Sequence, residues 1–92
     1  LKDLILVKAD NTYVEVHFST QRVVLSITLG EFERSARHAR LIRINRSYMI
    51  NTEHISSFNK SYRSLVLQHG DHHKELSISD QFREAFIKRL NG

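Results

Sequence analysis

Residues 7–16, VKADNTYVEV, decide the fold class of this chain. The turn-forming residues at 10–12 separate the apolar run Leu4–Ala9 from the segment Tyr13–Phe18. In that second segment valine and phenylalanine alternate with polar residues, which is the period of a strand with one buried face. The stretch therefore predicts two antiparallel strands joined by a short turn.

Six further segments read as strands because they are short, rich in branched or aromatic residues and bounded by polar residues. They are Arg22–Ile27, Leu41–Ile44, Tyr48–Ile50, Ile55–Phe58, Ser64–Gln68 and Lys74–Ile78. In the first of them Val23, Leu25 and Ile27 are predicted to share one side. The last two flank the Gly-centred connection His69–His73, which predicts a hairpin with a loop longer than two residues.

Two segments have helical signals instead. Thr28 and Glu31 have the Thr-x-x-Glu spacing of a capping box, which predicts a helix from 29 to about 38. Ser79 can cap a terminal helix whose core side recurs at four-residue spacing through Phe82, Phe86 and Leu90. The predicted fold is mostly β, in the all-β class, with one short central helix and one C-terminal helix.

The composition limits the function classes. The 92 residues suffice for one domain over 1–92, and 40% of them are hydrophobic, so the chain should fold. No apolar run is long enough to cross a membrane. Cysteine is absent, which removes thiolate chemistry and agrees with a cytoplasmic location. Nothing in the sequence organises a catalytic site, so neither an enzyme nor a bound cofactor is predicted.

The positive charge is concentrated in one stretch. Lys and Arg number 14 against 10 Asp and Glu, a formal net charge of +4. No acidic residue lies between Glu33 and Glu53, and this gap holds Arg34, Arg37, Arg40, Arg43 and Arg46. Such a stretch is either a solvated charged face or a surface for a polyanion such as DNA.

Within this stretch residues 43–51 read RINRSYMIN. Together with VKADNTYVEV and the Ile78-Ser79-Asp80 segment before the terminal helix, this motif resembles the LytTR family over nearly the whole chain. The resemblance implies an elongated β-sandwich of short antiparallel sheets. It also implies the DNA-binding output domain of a two-component response regulator, behind a receiver domain that a sensor histidine kinase phosphorylates. The chain is then expected to be the C-terminal fragment of a longer regulator.

The resemblance further implies that loops, and not a recognition helix, enter successive major grooves of promoter DNA. The first loop offers Asn11, Thr12 and Tyr13, the middle loop Asn45, Arg46 and Ser47, and the third loop Ser79, Asp80 and Gln81. Further phosphate neutralisation is expected from Arg37, Arg40, Arg43 and Lys60. The isolated domain is expected to be a monomer and the full-length protein a dimer on DNA.

The side chains in these loops suit different contacts. The guanidinium of Arg46 can bond bidentately to guanine, and the amides of Asn11 and Asn45 can pair with adenine. Hydroxyl groups of Thr12, Ser47 and Ser79 are better suited to phosphates, which set register and carry little sequence information.

Two positions depart from the family pattern. Asn45 stands where the family has His, and keeps hydrogen bonding without a proton-linked charge. Asp80 stands where the family has Arg, and a carboxylate facing phosphates would be repelled. Asp80 is therefore expected to stabilise the helix N-terminus, with a cytosine amino group as the alternative partner.

Three other interpretations stay open. Arg46 could pair with Glu53 or Asp80 inside the protein. Exposed strand edges could bind a protein partner, with the basic residues serving solubility. His69, Asp71, His72 and His73 could be metal ligands, although a polar surface turn explains them better.

Overall fold

The computed structural model describes residues 4–36, 40–59 and 61–91. The strands are β1 (Leu4–Asp10), β2 (Tyr13–Phe18), β3 (Arg22–Leu25), β4 (Leu41–Arg43), β5 (Tyr48–Asn51), β6 (Ile55–Phe58), β7 (Ser64–His69) and β8 (His72–Ser77). The helices are α1 (Leu29–Ser35) and α2 (Asp80–Asn91), and a 3-10 turn spans Thr52–His54. The mostly β fold with a short central helix and a C-terminal helix is confirmed.

All strand pairs are antiparallel, and they form two sheets. The larger sheet has the order β3-β2-β1-β5-β4, and the smaller has the order β6-β7-β8. Because β1 and β2 are joined by a two-residue turn while β1 also pairs with β5, the first hairpin lies directly beside the middle of the chain.

Each face of the larger sheet buries its own apolar cluster, as alternating side chains require. One face packs on α1 through Leu4, Val7, Val14, Val16, Leu29, Phe32, Leu41 and Met49. The other packs on the smaller sheet and α2 through Leu6, Ile42, Ile44, Ile50, Leu65, Leu67, Leu76, Ile78 and Phe86. The larger sheet is thus the central layer, and α2 is attached to it through Phe86, which is fully buried.

The local pattern predicted the start of α1 well. The capping box is confirmed, because Thr28 Oγ1 accepts from Glu31 N at 3.1 Å and the Glu31 carboxylate accepts from Thr28 N at 2.9 Å. The helix is shorter than expected, since it ends at Ser35. Neither described helix has the length and hydrophobicity needed to span a bilayer.

Two strand predictions were wrong in detail. His69 and His72 are paired strand residues, so the connection between β7 and β8 is a two-residue turn and not a five-residue loop. Gly70 permits that turn by adopting a φ of +58°. The third strand ends at Leu25 and lies at the sheet edge, where both Val23 and Leu25 are 37% exposed. The branched residues predicted this strand correctly, but they did not predict whether its side chains are buried.

Candidate nucleic-acid interface

The first and middle loops are neighbours because β1 and β5 are paired. Lys8 lies opposite Tyr48, and one step further along β1 the N–H of Ala9 donates to the carbonyl of Ser47 at 2.7 Å. The turn Asn11–Thr12 begins two residues after Ala9. The sheet register therefore places the first loop beside the middle loop.

The third loop also adjoins the middle loop. The N–H of Ser79 donates to the carbonyl of Ile44 at 3.0 Å. Asn45 Nδ2 donates to the carbonyl of Ser77 at 2.8 Å. The segments that lead into the first and third loops are thus both hydrogen-bonded to the middle loop or to the residue before it.

Asn45 shapes the middle loop. Its side-chain oxygen accepts from Ser47 N at 2.8 Å and from Tyr48 N at 2.9 Å, which closes the loop onto the start of β5. Its amide nitrogen holds the loop to the end of β8. A base contact by Asn45 would have to replace or share these bonds.

The side chain of Arg43 holds the backbone of the same loop. Its Nε donates to the carbonyl of Asn45 and its Nη2 to the carbonyl of Arg46, each at 3.0 Å. Its Nη1 is 3.1 Å from a carboxylate oxygen of Glu33, and the guanidinium lies 5.3 Å from the ring centre of Phe82. Only 19% of this side chain is exposed. The position expected to neutralise a phosphate therefore has all three guanidinium nitrogens engaged within the protein.

Arg46 differs from Arg43 in both its exposure and its side-chain contacts. It is exposed at the tip of the middle loop, and its side chain makes no hydrogen bond or ion pair with any residue that the structure describes. The alternative pairing of Arg46 is contradicted, because Glu53 lies 3.0 Å from Arg40 and Asp80 lies 3.0 Å from Arg63. The guanidinium of Arg46 is left facing solvent.

The first loop is a tight turn with its tip exposed. Asn11 has a φ of +61°, a left-handed conformation that Asn adopts more readily than most residues. Asn11 and Thr12 are exposed, while the hydroxyl of the half-buried Tyr13 donates to Asp10 Oδ2 at 2.9 Å. That hydrogen bond and the negative charge of Asp10 raise the pKa of Tyr13, so the phenol stays protonated. The amide of Asn11 is the base-reading group that this loop can offer.

The third loop presents a carboxylate and an amide. Asp80 is the first residue of α2, and Gln81 beside it is exposed. The Ser79 hydroxyl oxygen is buried and has no hydrogen-bond partner among the described residues. The prediction that the Ser79 side chain caps α2 is therefore wrong, and its hydroxyl is not exposed to a phosphate.

Sequence reasoning missed Arg63. This residue precedes β7, and the pairing of Ser64 with Ser77 carries it to the start of α2. Its Nη1 lies 3.0 Å from Asp80 Oδ1. The available signal was a basic residue immediately before β7. Its significance depends on the pairing of β7 with β8, which brings this residue to the start of α2.

The remaining basic candidates divide by position. Arg40, which pairs with Glu53, is exposed just before β4. Arg37 and Lys60 lie outside the described residues.

In the described part of the chain, no group of three or more potential ligand side chains is placed to hold a metal ion.

Comparisons with known proteins agree on one family. The model of the LytTr DNA-binding domain matches residues 1–91. A solved LytTr DNA-binding domain from Bacillus cereus, named as part of a proposed methyl-accepting/DNA response regulator, superposes with a TM-score of 0.80 at 21% identity. The superposition covers 99% of this chain and 84% of that one. No curated protein gives a significant sequence match.

Proposed function

Since this chain belongs to the LytTr DNA-binding domain family, we propose that it reads specific base sequences in double-stranded promoter DNA as the output domain of a two-component regulator. The reading elements are the three adjacent loops, and base readout is by Arg46 and Asn11. Ser47, Thr12, Gln81 and Arg40 contact the phosphates beside them.

The observation that carries this proposal is the exposure of Arg46 on a fixed backbone. Arg43 binds the carbonyl of Arg46 and Asn45 closes the loop around it, so the residue projects from a rigid support. A guanidinium held this way can donate two parallel hydrogen bonds to guanine O6 and N7. Because the backbone of this loop is already ordered, DNA binding costs little further conformational entropy there, which favours affinity.

The longest dimension of the domain matches about one turn of duplex DNA. Its longest extent is 35 Å, close to the roughly 34 Å of one turn of B-DNA. The domain as a whole can therefore lie along about one turn of the duplex.

The test compares Arg46→Ala with the conservative variant Arg46→Lys in gel-shift titrations against a promoter site selected from random DNA. Arg46→Ala should cost about 1–3 kcal/mol on the selected site and relax specificity at one base pair. Arg46→Lys should retain phosphate attraction but lose the bidentate contact, and so should also relax specificity. Native binding and selectivity in Arg46→Ala would refute the assignment.

The regulatory setting is part of the same proposal. The domain is cytoplasmic and follows a receiver that a sensor histidine kinase phosphorylates, and receiver dimerisation brings two copies to paired sites. Linking two weak sites raises the effective concentration of the second. Sedimentation should then show a monomeric isolated domain, and phosphorylation of the full-length protein should produce dimers with tighter DNA binding.

One observation favours a second candidate function. The edge strand β3 exposes Val23, Val24 and Leu25, and an open strand edge can pair with an extended segment of a protein partner. Titration with random duplex DNA distinguishes the two functions. DNA binding requires log K to fall with log salt at about −0.9 per phosphate contacted, whereas a protein-binding module would not bind the duplex.

A further inference from the structure

We propose that Arg63 and Asp80 act as one unit at the edge of the DNA surface, in which Arg63 contacts a backbone phosphate and Asp80 offsets its charge. The inference rests on the proposed function and extends the interface to the segment before β7. It assigns Asp80 a task that neither capping nor base reading supplies.

The backbone of Arg63 is fixed relative to the third loop. Its N–H donates to Asn59 Oδ1 at 2.8 Å, and its carbonyl accepts from Ile78 N at 2.8 Å. Ile78 precedes the third loop, so the side chain of Arg63 projects beside Asp80 and not elsewhere on the surface. The two charged groups meet at 3.0 Å.

Both side chains are open to an approaching phosphate. Arg63 is 57% exposed and Asp80 is 79% exposed, so solvent and salt weaken their attraction. A guanidinium has five N–H donors, of which the contact with Asp80 Oδ1 uses one. The remaining donors can bind a phosphate while the carboxylate stays close.

The charge balance explains how a carboxylate can lie at a DNA surface. Asp80 alone would repel phosphates, but the pair carries no net charge. Asp80 also lowers the attraction of Arg63 for DNA of any sequence, because that attraction is electrostatic and independent of sequence. The unit thus limits non-specific binding while leaving Arg46 to select the site.

The test measures the salt dependence of duplex binding for four proteins: wild type, Asp80→Asn, Arg63→Gln and the double variant. Asp80→Asn should bind random duplex several-fold more tightly at low salt, with a slope steeper by up to about 0.9. Arg63→Gln should bind more weakly, with a slope shallower by a similar amount. The double variant should return to the wild-type slope, since its net charge at this position is restored.

Arg22→Ala is the matched control. Arg22 also pairs with a carboxylate, Glu15, but at the end of β3 away from the first loop, so its slope should stay at the wild-type value. Thermal unfolding of every variant checks that the fold is retained, and Arg63→Ala provides a second substitution if Arg63→Gln unfolds.

The outcomes separate this inference from the proposed function. If the wild-type protein binds no duplex at low salt, the proposed function and this inference both fail. If the wild type binds but Asp80→Asn leaves the slope unchanged, or the double variant keeps the slope of Arg63→Gln, the inference alone is overturned.

Discussion

The guanidinium of Arg43 holds the main-chain carbonyl of Asn45 at 3.0 Å, while Arg46, three residues further on, leaves its own guanidinium exposed. Two arginines of one motif therefore have opposite tasks. Arg43 fixes the backbone of the middle loop, and Arg46 uses that fixed backbone to reach outward. The two arginines contribute equally to the net charge, but their contacts within the protein differ.

Substituting each arginine by alanine should separate these tasks. Arg43→Ala removes charge-assisted bonds to two loop carbonyls and should lower the free energy of unfolding by about 1–3 kcal/mol. Arg46→Ala removes no side-chain hydrogen bond or ion pair within the described residues and should change stability by less than about 0.5 kcal/mol. Urea denaturation measures both, and equal losses of stability would contradict the division.

Asn51 should be important for stability, because it is 1% exposed and bonds at both ends of its amide. Its Nδ2 donates to the carbonyl of Leu4 at 2.7 Å, and its Oδ1 accepts from Glu53 N at 2.9 Å. Asn51→Ala removes both of these hydrogen bonds and should cost about 1–3 kcal/mol. Asn51→Asp keeps the acceptor but places a charge against the Leu4 carbonyl, so it should not restore stability. Denaturation midpoints as high as the wild type in either variant would refute this role.

The capping box of α1 should make part of the stability depend on pH. The hydrogen bonds from the backbone and side chain of Thr28 hold the pKa of Glu31 below its ordinary value of 4.5. A lowered pKa in the folded state means that the ionised carboxylate stabilises the fold above pH 4.5, and that this contribution disappears as the pH falls through the folded pKa.

The measurement is the melting temperature of wild type and Glu31→Gln between pH 7 and pH 3. The difference between them should be constant near neutrality and should narrow below about pH 4.5. Thr28→Ala, which removes the reciprocal partner, should cost about 0.5–2 kcal/mol at neutral pH. A difference that widens at low pH would reverse the sign of the linkage and reject the explanation.

Local sequence patterns predicted the elements, since each depends on neighbours in the chain. The alternation in β2 and the Thr28–Glu31 box needed no tertiary information. Asn51, the last residue of the motif, is buried, and its side chain caps the 3-10 turn that follows β5. The five-residue connection before β8 failed because polar histidines can occupy a paired, exposed strand as well as a loop.

The candidate site was less accessible to sequence reasoning because its geometry is set by long-range contacts. Asn45 meets Ser77 across 32 residues of chain, and Arg63 meets Asp80 across 17. The motif indicated which loops to consider. Only the three-dimensional contacts show that the guanidinium of Arg43 is bonded within the protein and that Arg46 is exposed. A basic stretch predicts an electrostatic surface and does not assign a task to each of its residues.

The first loop allows its folding and binding roles to be tested separately through Asn11, whose φ of +61° glycine adopts without strain. Asn11→Gly should keep the turn and stay within about 0.5 kcal/mol of wild-type stability, whereas Asn11→Ala should lose about 1–2 kcal/mol. If the amide reads adenine, both variants lose about 1–3 kcal/mol on the selected site and none on random duplex. A selected site bound normally by Asn11→Gly but poorly by Asn11→Ala would instead make Asn11 a turn former alone.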